Sequence, residues 1–212
     1  LGTRGVRLAW LKPGLYEMQV EALLDAVSER ISAGGRPIVE IMIPLTVSGN
    51  ELAGARKWIE SVLQRHPEAV SVKIGTMIET PRAALVADEM AHHADFFSFG
   101  TNDLTQLTFG FSRDDIENRI MNLYLQEELL DANPFRHVDS KAVIELVRTG
   151  IERGRTVKPD LSVGVCGEHG GDPASIELLA VAGVDYVSCS PPRIPIARLA
   201  AAQIAIKTRA DR

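Results

Sequence analysis

Two short apolar runs, SVKIGTMI (residues 71–78) and FFSFG (residues 96–100), are separated by the helical pattern PRAALVADEMAHHA (residues 81–94). Neighbouring parallel strands need a crossover of about a dozen or more residues, usually a helix, so this stretch reads as a βαβ unit. Pro81 suits the first turn of its helix. In parallel α/β proteins ligands gather where strands end. Glu79 and Asp103 stand at those two ends, and the spacing predicts them at the same register on adjacent strands. A pair of hard oxygen donors, completed by water and a substrate oxygen, suits Mg2+. The competing reading is that each acid caps the helix that follows it.

The same rhythm runs through the chain. Residues 4–9 read as the tail of a strand, 15–31 as a helix, 37–45 as a strand, and 50–66 as an amphipathic helix with Asn50 as N-cap. After FFSFG come a short helix and loop and an insertion-like stretch through NPFRHV (residues 133–138). A helix (140–155), a strand ending at Cys166, a helix (172–183), the strand DYVSCS (185–190) and a last helix follow. That gives five strands and one partial strand. A (β/α)8 barrel has eight strands and typically about 250 residues. An open doubly wound sheet could use five or six, but neither GxGxxG nor GxxxxGK[ST] occurs. Functional groups recurring at successive strand ends favour the barrel. The expectation is an α/β fold: a partial TIM barrel, about strands 3/4 to 8, filling residues 1–212 and lacking its N-terminal strands.

Cys166 adds a different group. It ends an apolar strand, and the turn GEHGG (residues 167–171) lets backbone approach a ligand closely. A thiol there can be a nucleophile, a metal ligand or a proton donor, and the sequence leaves the three open. Cys189 reads as an inert core residue.

Composition excludes several classes. The chain has 23 Lys and Arg against 28 Asp and Glu, without a basic stripe, which argues against a nucleic-acid partner. No run approaches the roughly 18 apolar residues of a membrane span, and no leader pattern opens the chain. Two cysteines without CxxC spacing suggest neither a disulfide framework nor a structural zinc site, and a cytoplasmic setting is expected. The chain opens at Leu1 rather than Met, so a longer polypeptide is expected.

The segments RGVRLA, IMIPL, KIGTMIETPRAALVADE, FFSFGTNDLTQLTFGFSRDD, CGEHGG and DYVSCSPPRIPIARLAAAQ together resemble the PEP-utilising enzyme family, in its pyruvate phosphate dikinase branch. The likeness covers nearly all 212 residues, and phosphoenolpyruvate synthase and enzyme I of the sugar phosphotransferase system share the barrel. The resemblance implies that Glu79 and Asp103 hold Mg2+ against pyruvate or phosphoenolpyruvate, and that Cys166 exchanges the methyl proton. It implies that Asn102, with the backbone of Gly100 and Thr101, orients substrate, and that Arg4 and Arg113 contact its phosphate or carboxylate. Arg7 and Arg82 read as surface residues. The phosphohistidine of this family belongs to another domain of a longer chain, so none of the five histidines is expected to carry phosphate, although His169 could tune the Cys166 turn. A homodimer is implied as well. Against this stand a related carbon–carbon lyase and a non-catalytic remnant.

Overall fold

In the computed structural model, which describes residues 2–66 and 72–210, strands and helices alternate. The order is α1 (Val6–Leu11), α2 (Leu15–Ser32), β1 (Glu40–Ile43), α3 (Gly49–Leu63), β2 (Lys73–Ile78), α4 (Pro81–Leu85), α5 (Ala87–Ala91) and β3 (Phe96–Gly100). Then come α6 (Thr101–Phe109), α7 (Arg113–Arg119), α8 (Met121–Gln126), α9 (Val143–Val157), β4 (Ser162–Cys166), α10 (Pro173–Ala182), β5 (Tyr186–Val187) and α11 (Ile194–Ala210). Short 3-10 turns, Glu168–Gly171 and Pro191–Arg193, follow β4 and β5. Among the described residues, no helix is long and apolar enough to cross a membrane.

The five strands pair in parallel and in chain order. A doubly wound sheet reverses its order at a switch point, and this sheet does not, so it has the order of a sector of a (β/α)8 barrel. It also curls. The Tyr186 ring on β5 lies over Gly164 on β4. Burial raises the pKa of the Tyr186 phenol, and the charge of Glu40, on the opposite edge strand β1, raises it further. The inner faces of the two edge strands therefore lie within electrostatic reach of each other.

The core sits between the sheet and its helices, with β3 buried along its whole length. Phe97 and Phe99 point outward into α9, and α9 admits them because it carries glycine at the contacts. A Cβ on Gly150 would lie 2.8 Å from the Phe99 ring, and one on Gly154 would lie 2.7 Å from Phe97. Each buried ring contributes on the order of 2–3 kcal/mol.

A repeated device ties the amino-terminal ends of the strands. Asp95 precedes β3, donates its own N–H to Ile74 O (2.7 Å), and accepts the Ile74 N–H at Oδ2 (2.9 Å). Asp185 precedes β5 and does the same with Val163, at 2.8 Å in both directions. An arginine satisfies each carboxylate from the helix layer: Arg56 reaches Asp95 (3.1 Å) and Arg155 reaches Asp185 (2.9 Å). The two clamps occupy the same place in ADFFS and VDYVS.

Several expectations are corrected. Residues 4–9 contribute helix α1, not a strand: Gly5 turns the chain at φ 57°, its carbonyl starts the helix, and Val6 and Ala9, one turn apart, are both buried. The N-cap of α3 is Ser48, not Asn50. Its Oγ accepts the Glu51 N–H (3.2 Å), while Glu51 accepts from Val47 N–H (2.8 Å), a reciprocal arrangement of the capping-box kind. The helix expected over residues 81–94 is two short helices broken at Val86 (φ −122°). The insertion-like stretch contains α7 and α8. Ser71, the expected first residue of the second strand, lies outside the described residues.

Asp95→Ala should lower unfolding free energy by about 2 kcal/mol, because it leaves the Ile74 N–H without its acceptor and removes one of the two carboxylates on Arg56. Urea unfolding followed by circular dichroism measures this, and a loss under about 0.5 kcal/mol would show that the clamp is not structural.

Candidate active site

The register fixes the first three groups. Gly100 pairs with Cys166 across β3 and β4, and Ile78 pairs with Phe99 across β2 and β3, so Glu79 comes level with Gly100. Glu79, Gly100 and Cys166 thus form a row at the carboxyl ends of three adjacent strands. Gly100 is required there: a Cβ would lie 2.6 Å from Glu79 Oε2.

Neither acid caps the helix that follows it. The cap of α4 is Thr80, whose Oγ1 accepts from Ala83 N–H (3.1 Å). Glu79 Oε1 instead accepts the N–H of Leu45 at 2.7 Å. Leu45 is buried with φ 59°, a left-handed conformation that a leucine adopts only when its surroundings enforce it. Gly5 packs against it, and Val6 N–H donates to Pro44 O (3.2 Å). The start of α1 therefore locks the end of β1 and aims an amide at Glu79. Asp103 is not level with Glu79 as expected; it lies in the first turn of α6. There Gln106 Nε2 donates to Oδ1 (3.1 Å), and Arg4 pairs with Oδ2 (3.4 Å). That position also suits a carboxylate at a helix N-terminus.

The electrostatics favour a cation. Burial pushes the Glu79 carboxyl up to about 7, against the pull of the Leu45 amide, and the charge of Asp103 raises it further; Arg4 and Arg7 only partly offset this. Two buried carboxylates that hold each other's charge unfavourably, presenting only oxygen donors, are a chemical fit for a hard divalent ion. Glu79 and Asp103 are the residues that would hold it. A separate group, Glu21, Asp25 and His66, has donor atoms within 4.8 Å of one another, but it lies on α2 and just beyond α3, away from the strand ends. Arg65 (2.7 Å) and His66 (2.8 Å) already engage Glu21.

Cys166 sits in a distinct electrostatic setting. Burial raises the thiol's pKa and the charge of Glu79 raises it further, while a hydrogen bond with Ser98 pulls the other way. Its Sγ points at Phe99 O (3.6 Å). The thiol is therefore held protonated, which suits a proton donor better than a thiolate nucleophile.

The turn after Cys166 is fixed from beneath. His169 is wholly buried, its Nε2 2.9 Å from Pro134 O and its Nδ1 2.8 Å from Thr101 Oγ1. A carbonyl only accepts, so Nε2 carries the proton and Thr101 donates to Nδ1. Burial lowers the pKa of His169, consistent with a neutral ring. Thr101 thus faces a structural brace. Asn102 flanks the turn, where a Cβ on Gly167 (φ 112°) would lie 3.1 Å from its Oδ1.

Arg113 opens α7 and is engaged by two acids, with Nε 3.1 Å from Glu117 Oε2 and Nη1 3.0 Å from Glu168 Oε1. Arg7 and Arg82 donate to the backbone carbonyls of Gly2 and Val47. Cys189 packs with Ile176, Ala197 and Ala200, yet also lines a cavity with Asn102 and Cys166. Two site features lay beyond the reading of the residues. The strained Leu45 amide left no signal in the sequence, whereas Glu168 stood in view inside CGEHGG.

Residues 1–206 match the family described as PEP-utilising enzyme, PEP-binding domain. The chain is 50% identical over 210 residues to pyruvate, phosphate dikinase 1, chloroplastic, of Arabidopsis thaliana, a match covering 97% of this chain and 22% of that protein. It is 50% identical over 210 residues to pyruvate, phosphate dikinase 2 of Zea mays, covering 97% and 24%. To pyruvate, phosphate dikinase of Entamoeba histolytica it is 48% identical over 212 residues, covering 98% and 24%. The chain thus spans about a quarter or less of the length of these relatives. Among solved structures, a citrate lyase from Burkholderia xenovorans LB400 superposes with a TM-score of 0.58 at 16% identity, over 87% of this chain and 53% of that one. At that identity the two share a fold. The chain belongs to the PEP-utilising enzymes, and it corresponds to their PEP-binding domain.

Proposed function

We propose that this chain carries the pyruvate and phosphoenolpyruvate half-reaction of a pyruvate phosphate dikinase, which in the whole enzyme takes ATP, pyruvate and phosphate to AMP, phosphoenolpyruvate and diphosphate. The observation that carries the reading is the partly buried Cys166 thiol, level with Glu79 through Gly100 at three adjacent strand ends. The reading includes a phosphohistidine domain in the same longer chain, a homodimer and a cytoplasmic setting, on the strength of the family and of two free cysteines.

Each residue then has a task. Glu79 and Asp103 hold Mg2+, which when bound supplies positive charge beside the enolate oxygen of the three-carbon substrate. Asn102 and the backbone of Gly100 and Thr101 orient that substrate. Arg4 and Arg113 bind its carboxylate or phosphate. In the direction of pyruvate formation, phosphoryl leaves the enol oxygen for the phosphohistidine domain and Cys166 gives its proton to the methylene carbon; in reverse it takes a methyl proton.

Cys166→Ala should lower pyruvate methyl proton exchange about 10²- to 10⁴-fold while leaving Mg2+-dependent binding of oxalate, an enolpyruvate mimic, intact. Exchange by proton NMR and binding by calorimetry separate the two, and unchanged exchange would remove the acid role. Glu79 also predicts a pH dependence. A cation needs the ionised carboxylate, so Mg2+-dependent oxalate binding should weaken as pH falls through about 7. Without a cation the sign for stability is opposite. A carboxyl raised from 4.5 to about 7 stabilises the fold below 4.5, and that contribution is lost as pH rises through about 7. Glu79→Gln should abolish both trends, and persistence of either would displace Glu79 from the site.

A further inference from the structure

Two cavities meet at the turn after Cys166. One, about 430 Å3, is lined by Asn102, Cys166, Gly167 and Cys189; the other, about 510 Å3, by Arg113, Phe135, Arg136 and His137. Glu168 and Arg193 line both. Arg113 therefore borders the second cavity and not the one with the thiol and Asn102, and its ion pair with Glu168 forms part of the partition.

The arginine at that partition is already committed to carboxylates. Two carboxylates, Glu117 and Glu168, engage one guanidinium, which leaves it over-neutralised. A ligand carboxylate or phosphate could gain Arg113 only if one of the two let go. Glu117 is the better anchored. It lies one helical turn along α7 from Arg113, and Asn133 Nδ2 donates to its other oxygen (3.2 Å).

Glu168 is held far less. Its side chain is 42% exposed as a whole; its Oε2 is enclosed without a hydrogen bond of normal geometry among the described residues, and against the effect of burial Arg113, with Asn102 beside it, holds the carboxyl below its ordinary pKa. Its backbone, by contrast, is pinned: Arg193 Nη1 donates to Glu168 O (3.3 Å), and Gly167 before it takes a backbone conformation (φ 112°, ψ −178°) suited to glycine. Releasing Arg113 therefore requires only a rotation of the Glu168 side chain, with no rearrangement of the turn. Arg113 has a second support meanwhile, since its guanidinium lies 5.7 Å from the Phe135 ring centroid.

We propose that Glu168 is a carboxylate gate: it occupies Arg113 in the empty site and yields it to the anionic group of phosphoenolpyruvate, and this exchange joins the two cavities. The gate rests on the reading of the strand ends as a phosphoenolpyruvate site. It makes Glu168 a positioning residue that lowers affinity for weakly charged ligands, because only a ligand able to replace a carboxylate opens the partition.

Calorimetric titration with phosphoenolpyruvate in Mg2+ tests it. Glu168→Gln should bind about two- to fivefold tighter than wild type, the factor by which a half-exposed ion pair biases an equilibrium. Glu168→Asp, which keeps the charge but cannot reach as far, should also bind tighter. In an Arg113→Gln background, Glu168→Gln should change nothing. Thermal melts confirm that the variants are folded. Wild-type binding with unchanged or weaker binding by both Glu168 variants, or a gain that survives loss of Arg113, would overturn the gate and leave the site reading standing. Absence of Mg2+-dependent binding by folded wild type would overturn the site reading, and the gate with it.

Discussion

Gly100 pairs with Cys166, and the register that makes this pair also brings Glu79 level with Gly100. Parallel pairing is periodic, so a slip of one residue would turn Glu79 or Cys166 to the helix side of the sheet. The burial of β3 holds the register. Phe97 and Phe99 fit only where Gly150 and Gly154 of α9 leave room, and the Asp95 and Asp185 clamps fix the opposite ends of the strands. The spacing of the candidate site groups is thus set by packing far from the site.

The carboxyl ends of the strands hold groups that the fold alone would not favour. Glu79 is buried beside another carboxylate, and Leu45 is strained in a way that delivers its amide to Glu79. Stability and strain are divided between the two ends of the sheet. At the amino-terminal ends each acid, itself partly exposed, meets an arginine and a strand amide; at the carboxyl ends Glu79 has one amide, and Asp103 pairs with Arg4, whose side chain is 59% exposed. An exposed pair of that kind contributes little. This asymmetry is what a cation would relieve.

Much of this was legible in the residues. Five strands with helices between them follow from apolar runs of strand length and the crossovers separating them, and their chain-order parallel pairing agrees with the barrel expectation. Alternation misled at residues 4–9, because Val6-Arg7-Leu8 has the period of a strand while the φ of Gly5 and the burial of Val6 and Ala9 decide for a helix. Asn50 has the chemistry of a cap, but Ser48 lies three residues before Glu51 and has the spacing. Level placement of the acids failed for Asp103 because α6 begins immediately after Gly100, which carries the next carboxylate into a helical turn. What the residues could not convey is conformation enforced from a distance, as at Leu45.

The same distinction bears on the turn CGEHGG. As a string, it announces a cysteine at a strand end and a glycine-rich turn after it, and the structure has both. The division of labour inside it comes only from the fold. His169 is neutral and buried because Pro134 and Thr101 occupy both ring nitrogens, so it braces the turn instead of titrating in it. Glu168, one residue earlier, points one oxygen toward Arg113 and has a tethered backbone. A rigid base under a movable carboxylate confines motion to one side chain. If Arg113 changes partners as proposed, Cys166 can keep its position against Phe99 and Ser98, and the geometry of the proposed proton transfer stays independent of ligand entry.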